Sequence, residues 1–156
     1  MKAILLIPAR GGSQGVPRKN VRLLNNKPLI LYVLESIKNI PKKYDIDPYV
    51  MTDDEEIEYI SANAGFKVIK EEKTTGRATL DDVTLRFLNV LNYQPSDEAL
   101  FLTIQPTCPF IQPETILKAL DTLAHNSGSI LTVKDDKHLA WTIDENGVPQ
   151  KLYKER

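Results

Sequence analysis

The sequence predicts an α/β domain in which a mostly parallel sheet carries helices on both faces. Three observations predict it. The first apolar run, residues 3–7 (AILLI), is continuous rather than alternating, as in a strand covered on both sides. Strand-like segments then alternate with helical patterns of about 10–12 residues, which demands crossover connections and therefore parallel pairing. Finally, the three least ordinary loops, residues 8–20, 71–79 and 105–113, all fall where strands end, and the carboxyl ends of strands are where such sheets bind ligands.

Taken in order, the first strand covers residues 3–7 and stops at Pro8. Beyond its loop, Pro28 suits the first helical position, and Leu29, Ile30, Val33, Leu34 and Ile37 recur at helical spacing up to Pro41. Residues 49–52 read as a short second strand. Asp53, Asp54, Glu55 and Glu56 then open a helix that carries Ile57, Ile60 and Ala64 and closes at Gly65. A third strand covers residues 67–70. A helix over residues 80–91 sets Val83, Phe87, Leu88 and Leu91 on one side, residues 99–104 form a fourth strand, and Pro113 opens a helix reaching about Leu123. The pattern then turns to two β-type stretches, residues 130–134 and 139–143, with Glu145-Asn146-Gly147 as a hairpin signal. No repeat, low-complexity tract or linker interrupts the chain, so residues 1–156 read as one domain.

A chain of 156 residues buries roughly 70% of the surface it exposes unfolded, enough for a core without staples. Hydrophobic residues at 42% and charged ones at 26% exclude disorder and coiled coil. The single cysteine, Cys108, excludes an internal disulfide framework and agrees with a reducing compartment. Lys2 precedes an apolar run too short for a signal peptide or a bilayer span, so a cytoplasmic chain without membrane attachment is expected. A net charge of −1 argues against nucleic acid as partner, yet the charge is uneven. Lys2, Arg10, Arg18, Lys19, Arg22 and Lys27 lie in residues 1–34, while all 21 acidic residues lie beyond. Such a segment is either a local anion site or a solvated basic edge.

The loop IPARGGSQGVPRKN favours the anion site. Glycines at 11, 12 and 15 permit positive φ and leave no Cβ between main chain and ligand, so amides can converge on an anion beside Arg10 and Lys19. The orders G-x-x-x-x-G-K-[ST] and G-x-G-x-x-G are both absent, and the bland alternative is a tight turn.

This loop closely resembles the N-terminal signature of the acylneuraminate cytidylyltransferases, the CMP-sialic acid synthetases and their relatives. Ala9-Arg10-Gly11-Gly12-Ser13, Gly15, Pro17, Lys19 and Asn20 all fall at family positions. Gln105-Pro106-Thr107-Cys108-Pro109 resembles the family's Q-P-T-S-P loop, and Met51-Thr52-Asp53-Asp54 is similar, more weakly, to its S-T-D segment. The resemblance implies a Rossmann-like nucleotidyltransferase domain in which the anomeric hydroxyl of an acidic keto sugar (sialic, legionaminic or pseudaminic acid) attacks the α-phosphorus of CTP, releasing pyrophosphate with Mg2+ assistance. It implies that Arg10, Ser13 and Lys19 hold the triphosphate, with Arg10 and Lys19 as the catalytic cations. Gly11 and Gly12 would supply main-chain donors, and Asn20 would contact the nucleotide. Arg77 and Thr79 would complete the nucleotide pocket, while Gln105 and Thr107 would face the sugar. It further implies a homodimer, with residues 130–156 contributing to the interface.

Departures accompany the resemblance. Gln14, at a nucleotide-binding position, stands where the family usually carries lysine, and Thr74-Thr75-Gly76-Arg77-Ala78-Thr79-Leu80-Asp81 replaces R-P-x-x-L-x-x-D. The family's R-Q pair and magnesium-binding aspartates have no counterpart before Arg156, so the Mg2+ ligands are expected in a missing C-terminal part, with weak CTP binding and poor turnover by these residues alone. The competing readings are transfer of another nucleotide to another sugar, or a non-catalytic nucleotide-binding or dimerising fragment. Elsewhere the bland readings are preferred. Asp53 and Asp54, like Asp81 and Asp82, read as helix-start acids rather than metal ligands, and no protein metal site is assigned. His125 and His138 read as surface residues, Cys108 as a buried small side chain, and Trp141 as packing in the late β segment or at an interface.

Overall fold

The structure, a computed structural model, describes residues 1–13, 15–72, 78–94, 99–126, 128–132 and 141–151. Strand β1 (Lys2–Pro8) owes its unbroken apolar run to burial on both sides. The pleat sends Ala3, Leu5 and Ile7 into one core cluster and Ile4 and Leu6 into another. After the loop that follows, a short hairpin, β2 (Leu23–Leu24) and β3 (Lys27–Pro28), turns through Asn25 and Asn26 at φ 48° and 61°. This hairpin escapes the periodicity argument because its strands are only two residues each, but the Asn-Asn pair is a legible signal: asparagine tolerates the left-handed backbone that a two-residue turn requires. Pro28 consequently belongs to β3 and flanks helix α1 (Leu29–Lys38) instead of opening it.

Strand β4 (Asp45–Thr52) is longer than residues 49–52 suggested. Its first half pairs with β1 alone, since β5 joins only from Tyr49 onward, and a strand with one open edge tolerates Pro48. Helix α2 (Glu55–Asn63) follows, closed by Gly65 at φ 78°, then β5 (Lys67–Lys70), α3 (Leu80–Val90), β6 (Ala99–Thr103) and α4 (Pro113–His125). Residues 128–132 form no strand. The hairpin signal does hold: β7 (Trp141–Ile143) and β8 (Pro149–Lys151) pair antiparallel about Glu145-Asn146-Gly147.

The main sheet is parallel with order β5-β4-β1-β6. The chain builds outward from β1 to β4 and β5, then crosses back to place β6 on the other side of β1, so the topological switch lies between β1 and β6. Ile30, Val33 and Leu34 of α1, Ile57 of α2, and Ile116 and Leu120 of α4 cover one face. Helix α3 covers the other through Phe87, fully buried and edge-on to Tyr49 at 5.4 Å between ring centres. Removing a ring from such a position costs about 3–5 kcal/mol. Among the described residues, no helix is long and apolar enough to cross a membrane.

Candidate nucleotide site

The loop after β1 is shaped by hydrogen bonds to the neighbouring strand end. Ala9 N–H donates to the Met51 carbonyl at 2.9 Å, which carries the chain over the end of β4. Gly11 N–H then donates to Asp53 Oδ1 at 2.7 Å. Gly11 is glycine for want of room: an added Cβ would lie 2.8 Å from the Asp54 Cβ and closer still to Oδ2. Asn20, buried, closes the loop by donating from Nδ2 to the Arg10 carbonyl at 3.0 Å.

Arg18 secures the outer side. Its backbone is left-handed, at φ 52° and ψ 35°, and its guanidinium reaches Asp54 Oδ2 at 2.9 Å and Glu56 Oε2 at 2.5 Å. Asp54 in turn caps α2, accepting from the Glu56 and Ile57 amides at 3.0 and 3.1 Å. Partial burial pushes the Asp54 carboxyl up, but hydrogen bonds from Arg18 and these amides outweigh it and hold it below the ordinary 3.8. The expectation that Asp54 is a helix cap is met, whereas Asp53 anchors the loop.

Two parts of the cradle argument need correction. Gly11 and Gly12 are not in the left-handed region, and at Gly11 it is the close approach to Asp54, not a left-handed turn, that calls for glycine. The amides of Gly11 and Ser13 are also already engaged, the first by Asp53 and the second by the Gly11 carbonyl at 3.0 Å, so in this conformation they do not point at an anion together.

The loop after β6 is held from the opposite side. Ile104 N–H extends the pairing to the Leu6 carbonyl, and Ser36 Oγ of α1 donates to the Ile111 carbonyl at 2.5 Å. Between them the Cys108 amide turns back to the Gln105 carbonyl at 3.0 Å. That tight turn leaves Cys108 exposed, contrary to the buried position expected of it. The third wall begins at the N-terminus of α3, where Thr79 and Asp82 form a reciprocal capping box: Thr79 N–H donates to Asp82 Oδ2 at 2.8 Å and Asp82 N–H to Thr79 Oγ1 at 3.2 Å. Asp82 therefore serves the helix start, as its position suggested, as the partner of the Thr79 cap.

These walls enclose a cavity of about 320 Å³ over the ends of β1, β4, β5 and β6, beside the topological switch. The structure brings Arg10, Ser13, Lys19, Asn20, Thr79, Gln105 and Thr107 to its wall, seven residues from three distant stretches of sequence. Gly15 also lines it, while Gly11 and Gly12 do not. Gln14, Arg77 and His138 lie outside the described residues. Of the early cations, Arg18 and Lys27 are drawn into ion pairs, Lys27 with Glu35, and the two that reach the cavity are Arg10 and Lys19. His125 sits exposed at the end of α4, its Nδ1 at 2.7 Å from the Asp121 carbonyl oxygen, as a surface residue.

Sequence reasoning missed Glu71. Its side chain is 10% exposed and lines the cavity at the end of β5, bound by Arg86 of α3. The one available signal was its position, directly after a strand end. Among the described residues no group of three or more His, Cys, Asp or Glu is placed to hold a metal ion. Asp53 and Asp54 are committed to Gly11 and Arg18, and Glu71 to Arg86, so the described residues do not present a preformed magnesium site.

Comparison with known proteins identifies a family for the chain. Residues 4–146 match the family described as Cytidylyltransferase. The chain belongs to that family. This cytidylyltransferase chain is 31% identical over 153 residues to the N-acylneuraminate cytidylyltransferase of Streptococcus agalactiae serotype V, covering 94% of this chain and 36% of that one. It is 29% identical over 136 residues to the CMP-N,N'-diacetyllegionaminic acid synthase of Legionella pneumophila, covering 85% of this chain and 58% of the relative. It therefore spans about a third to three fifths of the length of these relatives. A solved CMP:2-keto-3-deoxy-manno-octonic acid synthetase complexed with CTP superposes with a TM-score of 0.65 at 25% identity, covering 81% of this chain and 48% of that one. The 4-diphosphocytidyl-2C-methyl-D-erythritol synthase of Anaerococcus prevotii shares the fold with a TM-score of 0.65 at 19% identity, covering 96% and 63%.

Proposed function

We propose that this chain supplies the nucleotide site of an enzyme that transfers CMP from CTP to an acidic keto sugar of the sialic or legionaminic kind, releasing pyrophosphate. The observation that carries the reading is the cavity itself: Arg10 and Lys19 face it from the β1 loop, and Gln105 and Thr107 face it from the β6 loop. Arg10, Ser13 and Lys19 bind the triphosphate and offset the charge that grows on the leaving pyrophosphate as the bond to the α-phosphorus breaks. Gln105 and Thr107 hold the sugar on the opposite wall, so that its hydroxyl meets the α-phosphorus in line. Asn20 and Gly11 act at one remove, by fixing the path of the loop that carries these groups. Thr79 places its hydroxyl at the nucleotide end, and Arg77 and Gln14 belong to the same proposed set.

Magnesium, a homodimer built through the β7–β8 region and a cytoplasmic setting belong to the same reading. Its test is a titration of the chain with CTP, UTP, ATP and GTP, followed by pyrophosphate release with sialic or legionaminic acid and magnesium. CTP is expected to bind most tightly and to be the triphosphate consumed. Equal or better use of UTP or GTP would overturn the choice of nucleotide, and CTP binding without turnover in the natural full-length protein would leave a binding domain instead of an enzyme.

A further inference from the structure

The cavity has two chemically unlike ends. At the end of β1, Arg10 and Lys19 are cationic. At the end of β5, two strand spacings or roughly 10 Å away, the wall includes Glu71, an acid. Arg86 holds that carboxylate with Nε at 2.7 Å and with Nη2, and both hydrogen bonds fall on Oε1. Glu71 N–H is fixed as well, donating to the Thr52 carbonyl at 2.7 Å. Arg86 offsets the charge of this carboxylate and occupies Oε1, so what is left for a ligand is Oε2 as a hydrogen-bond acceptor. Beside it, Ala78, Leu80 and Val83 present apolar surface suited to a flat ring. A ligand that is anionic at one end and carries a hydrogen-bond-donating ring at the other matches both ends.

We propose that Glu71 reads the exocyclic amine of the nucleobase: Oε2 accepts an N–H from C4 of cytosine, with Arg86 holding Oε1 so that the second oxygen faces the ring. The inference rests on the nucleotide reading of this cavity and deepens it into a basis for specificity. Cytosine offers an amine at this position and uracil an acceptor oxygen, which would face the carboxylate acceptor to acceptor. A site built to bond a donor rejects an analogue lacking one, because its own polar group is left unpaired.

The test measures dissociation constants by calorimetry on the full chain for three triphosphates: CTP, UTP and the pyrimidin-2-one analogue, which carries only hydrogen at C4. Wild type is expected to bind CTP about tenfold more tightly than the pyrimidinone, with UTP weaker still. In Glu71→Gln the carbonyl oxygen is claimed by Arg86 and the amide N–H turns to the cavity, so the preference for CTP over UTP should vanish or reverse. Equal binding of CTP and the pyrimidinone by wild type, or an undiminished CTP preference in the variant, overturns the role of Glu71 while leaving nucleotide binding intact. Failure of wild type to bind any triphosphate overturns the nucleotide reading and this inference with it. Should Glu71→Gln fail to fold, the ranking of the three ligands by wild type decides the matter alone.

Discussion

The sheet has a cavity at each end, and size does not tell which of them resembles a binding site. The cavity over the carboxyl ends of the strands measures about 320 Å³, while the one at the amino ends of β4 and β5 measures about 390 Å³. The second is lined by the end of α1, the Ile40–Tyr44 connection and the Gly65–Phe66 turn, with Lys38 and Lys42 as its ammonium groups. The first collects loops from three crossovers and receives Arg10, Lys19 and Glu71 on fixed backbones. Volume therefore does not distinguish the two. What does is the parallel topology, which turns every βα loop, and the N-termini of α2 and α3, toward one edge only.

The largest effect that would sharpen this contrast is expected from replacing both Arg10 and Lys19 by alanine. Removing two charge-assisted hydrogen bonds to the phosphates should weaken CTP binding roughly hundredfold, as read by calorimetry. Next comes Gly11→Ala, which forces the loop away from Asp54 and should cost about 1–3 kcal/mol of stability in urea titration as well as CTP affinity. Gly12→Ala is its control, because nothing lies within 4 Å of the added carbon, and it should behave as wild type. A smaller loss, about 1 kcal/mol, is expected for Asp54→Ala through the missing cap. The Asp54 carboxyl titrates below 3.8 when folded, so its stabilisation is fully present above 3.8 and is lost as pH falls through the lower folded value. Stability curves of wild type and variant should therefore approach one another in acid below that point. The smallest effect belongs to the other cavity: Lys42→Ala should leave CTP affinity within twofold, and a larger loss would break the contrast.

Most of the fold was legible because its signals are local and redundant. Residues 67–70 announce a strand, Asp54 and Gly65 bracket α2, and Thr79 with Asp82 starts α3. The residues gathered at the cavity were legible for a different reason, since loops after parallel strands must meet at one edge. What stayed hidden depends on packing between distant segments. Nothing local to Gly11 tells that Asp54, 43 positions later, will occupy the space of its missing side chain. Glu71 looks like one acid among several until the packing of α3 brings Arg86 against it. Cys108 was misjudged because burial was assigned from residue type, while the turn between Gln105 and Ile111 decides which way its side chain points.

That turn has a practical side. The thiol of Cys108 is the only one in the chain, faces solvent, and follows directly on Thr107, which lines the cavity. A maleimide dye added to the unaltered protein would thus attach at a single known spot on the rim. Its emission would report on whatever enters, without a residue having to be engineered first.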